Sequence, residues 1–132
     1  MHSTLTPSAA KELGRVLGLM RTTQRKTLRD VARRATMASQ YAHNIERGDK
    51  LTVSEDFYAR FARAVCIPDD AWRDHILRAR VRSALEQHGL SPDQVEFVWT
   101  GVNQRLSEQG IVLRLDLAKL IADIFEGPPC EG

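Results

Sequence analysis

Residues 27–48, TLRDVARRATMASQYAHNIERG, constrain this chain more than any other stretch. They form two short helical patterns joined by a tight turn and closed by a glycine. Thr27 offers its hydroxyl to the free N–H groups of a helix start, and Asp30 stands three residues on, where a reciprocal cap belongs. Leu28, Val31, Ala32 and Ala35 then fall at helical spacing, leaving Arg29, Arg33 and Arg34 on the outside. The inner stripe is narrow, so a closely packed neighbour is expected. A second helix starts at Ala38 or Ser39, buries Ala42 and Ile45, and stops at Gly48, the residue type that enters left-handed backbone without a steric penalty.

The outer face of that second helix carries Ser39, Gln40, His43, Asn44 and Arg47. Glutamine and asparagine each present a donor beside an acceptor, which matches the major-groove edge of adenine, and serine serves several bases. Such a face suits the reading of base edges. It does not say which bases.

Leu28 to Ala32 and Ile45 to Gly48, the LRDVA and IERG runs, resemble the Cro and lambda-repressor (XRE-like) family of helix-turn-helix regulators. The likeness extends upstream to Leu13, Leu17 and Arg21 and downstream to Phe61, Ala62 and Val65, so it covers roughly the first half of the chain. It implies an N-terminal five-helix domain of repressor type; with the helical pattern of the rest of the chain, the fold expected is all-α, that domain being followed by a C-terminal helical hairpin. It also implies roles. Ser39, Gln40 and Asn44 face the bases, Arg47 and Lys50 face phosphates, and Arg21 and Glu46 form a structural ion pair between the first helix and the recognition helix; from their places in the two helical patterns, Tyr41 and His43 are expected beside the base-reading residues and Thr27 and Arg29 beside the phosphates.

Three positions depart from the family pattern. Leu28 stands where many members carry a glutamine that touches the DNA backbone. Ala38 replaces the usual Ser or Thr cap, at a cost of about 1 kcal/mol unless Ser39 takes over. Tyr41 replaces a small residue, and either stacks on a sugar or thymine methyl or packs beside the first helix.

Charge is distributed unevenly. Residues 1–50 hold ten Lys or Arg against four Asp or Glu, residues 51–90 six against six, and residues 91–132 three against seven. The basic front coincides with the helix-turn-helix pattern and suits a polyanion, while the acidic rear suits solvent or a protein partner. A hydrophobic content of 42% permits a real core. No apolar run approaches the roughly 20 residues that span a bilayer, and MHSTLTPSAAKEL lacks a signal peptide's apolar centre, so a cytoplasmic protein is expected. Cys66 and Cys130 lie far apart, away from any metal-ligand spacing, and read as two reduced thiols, one buried and one in the tail.

The remaining pattern is helical. Thr6 and Pro7 signal a first helix with Leu13, Val16, Leu17 and Met20 inside, ending near Thr22. A fourth helix buries Phe57, Tyr58, Phe61, Ala62 and Val65, and a long fifth begins at Asp69 and Asp70. Ser91, Pro92 and Gln94 spell a capped start for a helix striped by Val95, Val98, Trp99, Val102 and Leu106. Ile111 to Leu115 alternate weakly, as a short strand or a loop, before Asp116 caps a last helix. The domain boundaries expected are 1–70 for the helix-turn-helix domain, 71–89 for a connecting helix, 90–127 for a C-terminal helical region and 128–132 for a frayed tail.

Two amphipathic helices cannot enclose their own apolar faces. A two-fold dimer through Trp99, Leu117, Leu120, Ile121, Ile124 and Phe125 is one solution, and folding back onto the fifth helix is the other. The expected partners are double-stranded DNA and a second copy, with another protein bound by the acidic C-terminal region as a further candidate; no cofactor and no metal are expected. His2, His43, His75 and His88 have no mutual spacing that builds a metal site, and His75 and His88 read as helix-surface residues. The functional expectation is a regulator that represses from operators near its own gene, against an antitoxin or anti-activator that sequesters a protein.

Overall fold

A computed structural model describes residues 5–49, 53–127 and 130. Seven helices follow in order: α1 (Pro7–Thr23), α2 (Leu28–Ala35), α3 (Ser39–Arg47), α4 (Glu55–Ala64), α5 (Asp69–Gln87), α6 (Pro92–Glu108) and α7 (Leu117–Glu126). Among the described residues there is no strand, and 111–116 is an irregular connection. The strand reading of Ile111 to Leu115 is thereby corrected. The physical reason is tethering by side chains rather than by a partner strand. The Arg114 backbone N–H donates to Asp74 at 2.8 Å and its guanidinium reaches Asp70 at 2.8 Å.

Helix α1 is the hub, touching α3, α5 and α7, while α2 packs on both α3 and α4. Phe61, Leu13, Leu17, Met20, Ile45, Ile67, Val31 and Val65 are the largest fully buried side chains. All come from the first four helices and the short connection between the fourth and the fifth. The starts are capped largely as their sequences direct. Thr27 Oγ1 accepts from the Asp30 N–H at 3.1 Å, Ser54 Oγ from Phe57 at 3.2 Å, and Ser91 forms a full capping box with Gln94. Thr6 does not cap α1 with its side chain; its hydroxyl instead donates to Glu86 of α5 at 2.5 Å.

The long fifth helix is part of the domain rather than a spacer. It buries Ala71, Trp72, His75, Ala79 and Ser83 against α1 and α4. Glu12 of α1 accepts from Arg78 at 2.8 Å and from Arg82 at 3.0 Å, and Glu86 accepts from Ser8 at 2.6 Å. Burial pushes the Glu86 carboxyl up, but the hydroxyls of Ser8 and Thr6 together with Arg82 outweigh it, so it sits below its ordinary value. His75 belongs to this inner face. At 6% exposure it is buried, which corrects its reading as a surface residue, and burial holds its pKa below the ordinary imidazole value.

The C-terminal helices seat mainly on the N-terminal helices rather than on each other. Helix α6 lies along α5, burying Val95 and Trp99, with Arg78 of α5 stacked 5.3 Å from the Trp99 ring centre. Helix α7 returns to α1, where Leu120 enters the main core and Leu117, Ile121 and Ile124 pack beside it. Each apolar stripe thus finds a separate seat on the N-terminal domain, which satisfies more of its surface than two helices could offer each other.

The cysteines differ from expectation as well. Cys66 and Cys130 are joined in a disulfide with their Cα atoms 5.7 Å apart, bringing the chain after α7 to the end of α4. Cys66 itself is half-buried.

Candidate nucleic-acid interface

The α2–α3 unit is held from behind by α1. At Gly14 a Cβ atom would lie 2.7 Å from the Ile45 carbonyl oxygen and closer still to that of Glu46, so α1 and α3 cross with their backbones nearly in contact. Gly18, one turn on, gives the Glu46 side chain its room. Into that space Arg21 sends a two-pronged ion pair, Nε to Oε2 at 2.8 Å and Nη2 to Oε1 at 2.7 Å. Its Nη1 donates to the Lys26 carbonyl at 2.8 Å, so one guanidinium fixes α3 and the α1–α2 turn together. The hydrogen bond to Glu46 holds the Arg21 pKa above its ordinary value.

Gly48 ends α3 at φ 73°, and a Cβ there would strike the backbone of Lys11. The α2–α3 turn is sharper still, because Thr36 adopts φ 56° and its N–H and that of Met37 return to the Arg33 and Ala32 carbonyls. Helix α3 starts at Ser39 with Ala38 as an uncapped N-cap, so Ser39 does not substitute for the missing cap.

Ser39 and Gln40 are exposed, and His43 and Asn44 are half-exposed beside them. Gln40 Nε2 donates to Asn44 Oδ1 at 3.1 Å. Tyr41 is turned elsewhere. Its ring lies 4.8 Å from that of Phe57 on α4, with the Arg60 guanidinium 4.3 Å from the other ring of the stack, so the tyrosine packs toward α4 rather than beside α1. Thr27 and Arg29 are exposed at the start of α2, and Arg47 is exposed at the end of α3, 3.3 Å from Asp49. Lys50 lies outside the described residues. Thr27 hydrogen bonds and the neighbouring Arg33 hold the Asp30 carboxyl low, so the start of α2 carries a negative charge among its arginines.

The residues expected to form a dimer seam are divided by the fold. Trp99 at 6% and Leu120 at 3% exposure are occupied within the chain, whereas Phe125 is 63% exposed. The exposed apolar side chains of the C-terminal part also include Phe97, Ile111 and Val112. Composition alone missed Gly14 and Gly18, although their four-residue spacing in α1 was a readable signal for close helix approach. Gln24 was missed too: its side-chain amide donates to the Met20 carbonyl at 3.0 Å and the Val65 carbonyl at 2.7 Å, tying α1 to the end of α4.

Two short helices at a tight turn, backed by a third and closed by two more, make a helix-turn-helix domain. A family model described as a helix-turn-helix domain matches residues 12–76, so this segment is a helix-turn-helix domain. The match runs from the first turns of α1 into α5. No curated protein and no solved structure matches the chain. No helix among the described residues is long and apolar enough to cross a membrane.

Proposed function

We propose that this chain is a sequence-specific, dimeric, DNA-binding transcriptional regulator that works in the cytoplasm and represses from operators near its own gene. One observation carries the reading: α3 offers Ser39, Gln40 and Asn44 to solvent while its other side is pinned to α1 through Arg21–Glu46 and the Gly14 crossing. Polar side chains fixed on a rigid helix suit base reading better than any packing role. Thr27, Arg29 and Arg47 flank that face and serve the phosphates. Tyr41, committed to Phe57, supports the helix instead of reading bases.

Pairing of two copies places two recognition helices one duplex turn apart, roughly 34 Å. The exposed Phe97, Ile111, Val112 and Phe125 are better suited to that seam than Trp99 and Leu120, which are already covered. The same exposed residues support the second reading, a protein sequestered by the C-terminal part.

The test is fluorescence anisotropy at physiological salt on duplexes tiled from the DNA upstream of the gene, with sedimentation of the free protein. A regulator shows one tile bound at least about a thousandfold tighter than the others and a dimer in solution. Uniformly weak binding by a monomer overturns the regulator reading in favour of the sequestering one.

A further inference from the structure

We propose that Cys66 and Cys130 form a reversible thiol-oxidation site, with Cys66 as the peroxide-reactive thiolate and the resulting bond clasping α7 onto the helix-turn-helix domain. The site is built around a fixed cation. Lys26 Nζ lies 3.2 Å from Cys66 Sγ and donates to the Ala64 carbonyl at 2.9 Å, and among the described residues no carboxylate pairs with it. Arg34, Arg60 and Arg63 line the same open groove of about 490 Å³ that holds both sulfurs. Asp69 lines the groove too and pairs with Arg63, and Arg60 pairs with Asp56, so it is the Lys26 ammonium held against the sulfur that favours the thiolate, the reactive form.

Position supports the same conclusion. Cys66 sits at φ 67° just past α4, where a helix ordinarily places glycine. Arg25 and Thr36 hold the same left-handed backbone, so the conformation fixes where the thiol sits and nothing more. Cys66 is half-buried but lines the open groove it shares with exposed Cys130, so an oxidant reaches it from that side. The assignment rests on the DNA-reading function in one respect: a protein working beside DNA in the cytoplasm meets a reducing pool, in which a disulfide is conditional rather than permanent.

The Cys66 thiolate attacks one oxygen of hydrogen peroxide, the O–O bond breaks, and the departing hydroxide combines with the proton that the thiol released on ionising, to leave as water. The sulfenic acid that results is attacked by the Cys130 thiol; the S–S bond forms and the S–O bond breaks, releasing a second water. Two electrons pass from the two sulfurs to one peroxide, and a dithiol reductant returns them by two exchange steps.

The mechanical consequence follows from what lies next to the bond. Helix α7 has only ten residues, and Ile121, Ile124 and Phe125 lie over Met20, Thr23 and Gln24 of the α1 end. Gln24 in turn reaches the carbonyl of Val65, the neighbour of Cys66. So short a helix depends on its seat, and the bond fixes the chain beyond it to the same corner.

The test uses the full chain, reduced and then treated with hydrogen peroxide, read by alkylation mass spectrometry and by amide exchange over 117–126. The result expected is one intramolecular Cys66–Cys130 bond reversed by a dithiol, with exchange over α7 slowed at least about tenfold. Lys26→Met should slow the oxidation about threefold for each unit its thiol pKa rises, since the lost thiolate fraction is partly offset by greater nucleophilicity. Cys130→Ser, which keeps Lys26 in place, should leave a sulfenic acid at Cys66 that a dione probe traps, and no change over α7. Thiols that remain free, that pair only between molecules, or that react equally fast in Lys26→Met overturn the proposal, as does unchanged exchange over α7. None of these readouts involves DNA, so failure here is distinct from failure of the regulator reading.

Discussion

Gln40 donates its side-chain amide to the amide oxygen of Asn44, one turn further along the exposed side of α3, at 3.1 Å. The bond leaves Gln40 Oε1 and the Asn44 amide hydrogens available for a base edge, so the two residues present a joint pattern rather than two independent ones. Gln40→Ala and Asn44→Ala should each weaken binding to the preferred duplex by about 1–3 kcal/mol while leaving binding to random DNA unchanged. Because each substitution also frees the other side chain, the double variant should lose less than the sum of the two. A double-mutant cycle by anisotropy measures this. Strict additivity would show that the hydrogen bond does not persist on DNA.

The support beneath that face is a separate matter of packing. Gly14→Ala forces a methyl group into the Ile45 and Glu46 carbonyls, and backbone at a helix crossing cannot yield as a side chain does. A destabilisation of about 1–3 kcal/mol is expected by urea unfolding. Glu46→Ala leaves Arg21 mostly buried without its carboxylate, since both side chains are 17% exposed. It should cost about 2–3 kcal/mol, below the value for a wholly buried pair because some water reaches it. If Gly14→Ala unfolds at the same urea concentration as the parent chain, the close crossing of α1 and α3 is wrong.

These two regions show what was legible in the sequence. The local signals held where a short motif decides the outcome: Thr27 caps α2, Gly48 closes α3, and Ser91 with Gln94 opens α6. The Arg21–Glu46 pairing came through resemblance, and the geometry places the two together. What the sequence did not yield was long-range. Nothing local says that Leu120 seats on α1 rather than on α6, or that Cys66 and Cys130, 64 residues apart, meet. Which helices α5 packs on likewise depends on tertiary arrangement, and His75 was misplaced for that reason.

His75 gives the chain a pH dependence whose sign is fixed by its burial. Burial lowers its folded pKa below the ordinary 6.5, against the opposing pull of Glu12 and Asp74, and Arg78 adds to the lowering. The unfolded chain therefore binds a proton that the folded chain refuses. Its contribution to stability is complete above about pH 6.5 and falls as the pH drops through and below that value. Urea midpoints taken between pH 7.5 and pH 5.5 should decline in the parent chain and stay nearly level in His75→Leu. The carboxylates held low, Glu86, Asp70 and Asp30 among them, lose their contribution only at more acid pH, outside this window. An equal decline in both proteins would remove His75 as the cause.

Thr36 offers the opposite kind of test, a substitution that should stabilise. It closes α2 at φ 56°, a left-handed conformation that a β-branched residue tolerates poorly, at about 1–2 kcal/mol. The hydrogen bonds that define the turn are made by backbone: Thr36 and Met37 N–H groups to Arg33 and Ala32, and the Thr36 carbonyl receiving Arg60 Nη1 at 3.2 Å. All of them survive a change of side chain. Thr36→Gly relieves the steric cost but adds conformational freedom to the unfolded chain, so the net gain should be about 0.5–1 kcal/mol, or roughly 3 °C in Tm. Thr36→Asn, which enters the same region without glycine's entropy, should gain at least as much. If both variants melt at or below the parent's temperature, the Thr36 side chain has a favourable role that outweighs its backbone strain, and its place in the turn between α2 and the recognition helix would make a contact with DNA the first thing to measure.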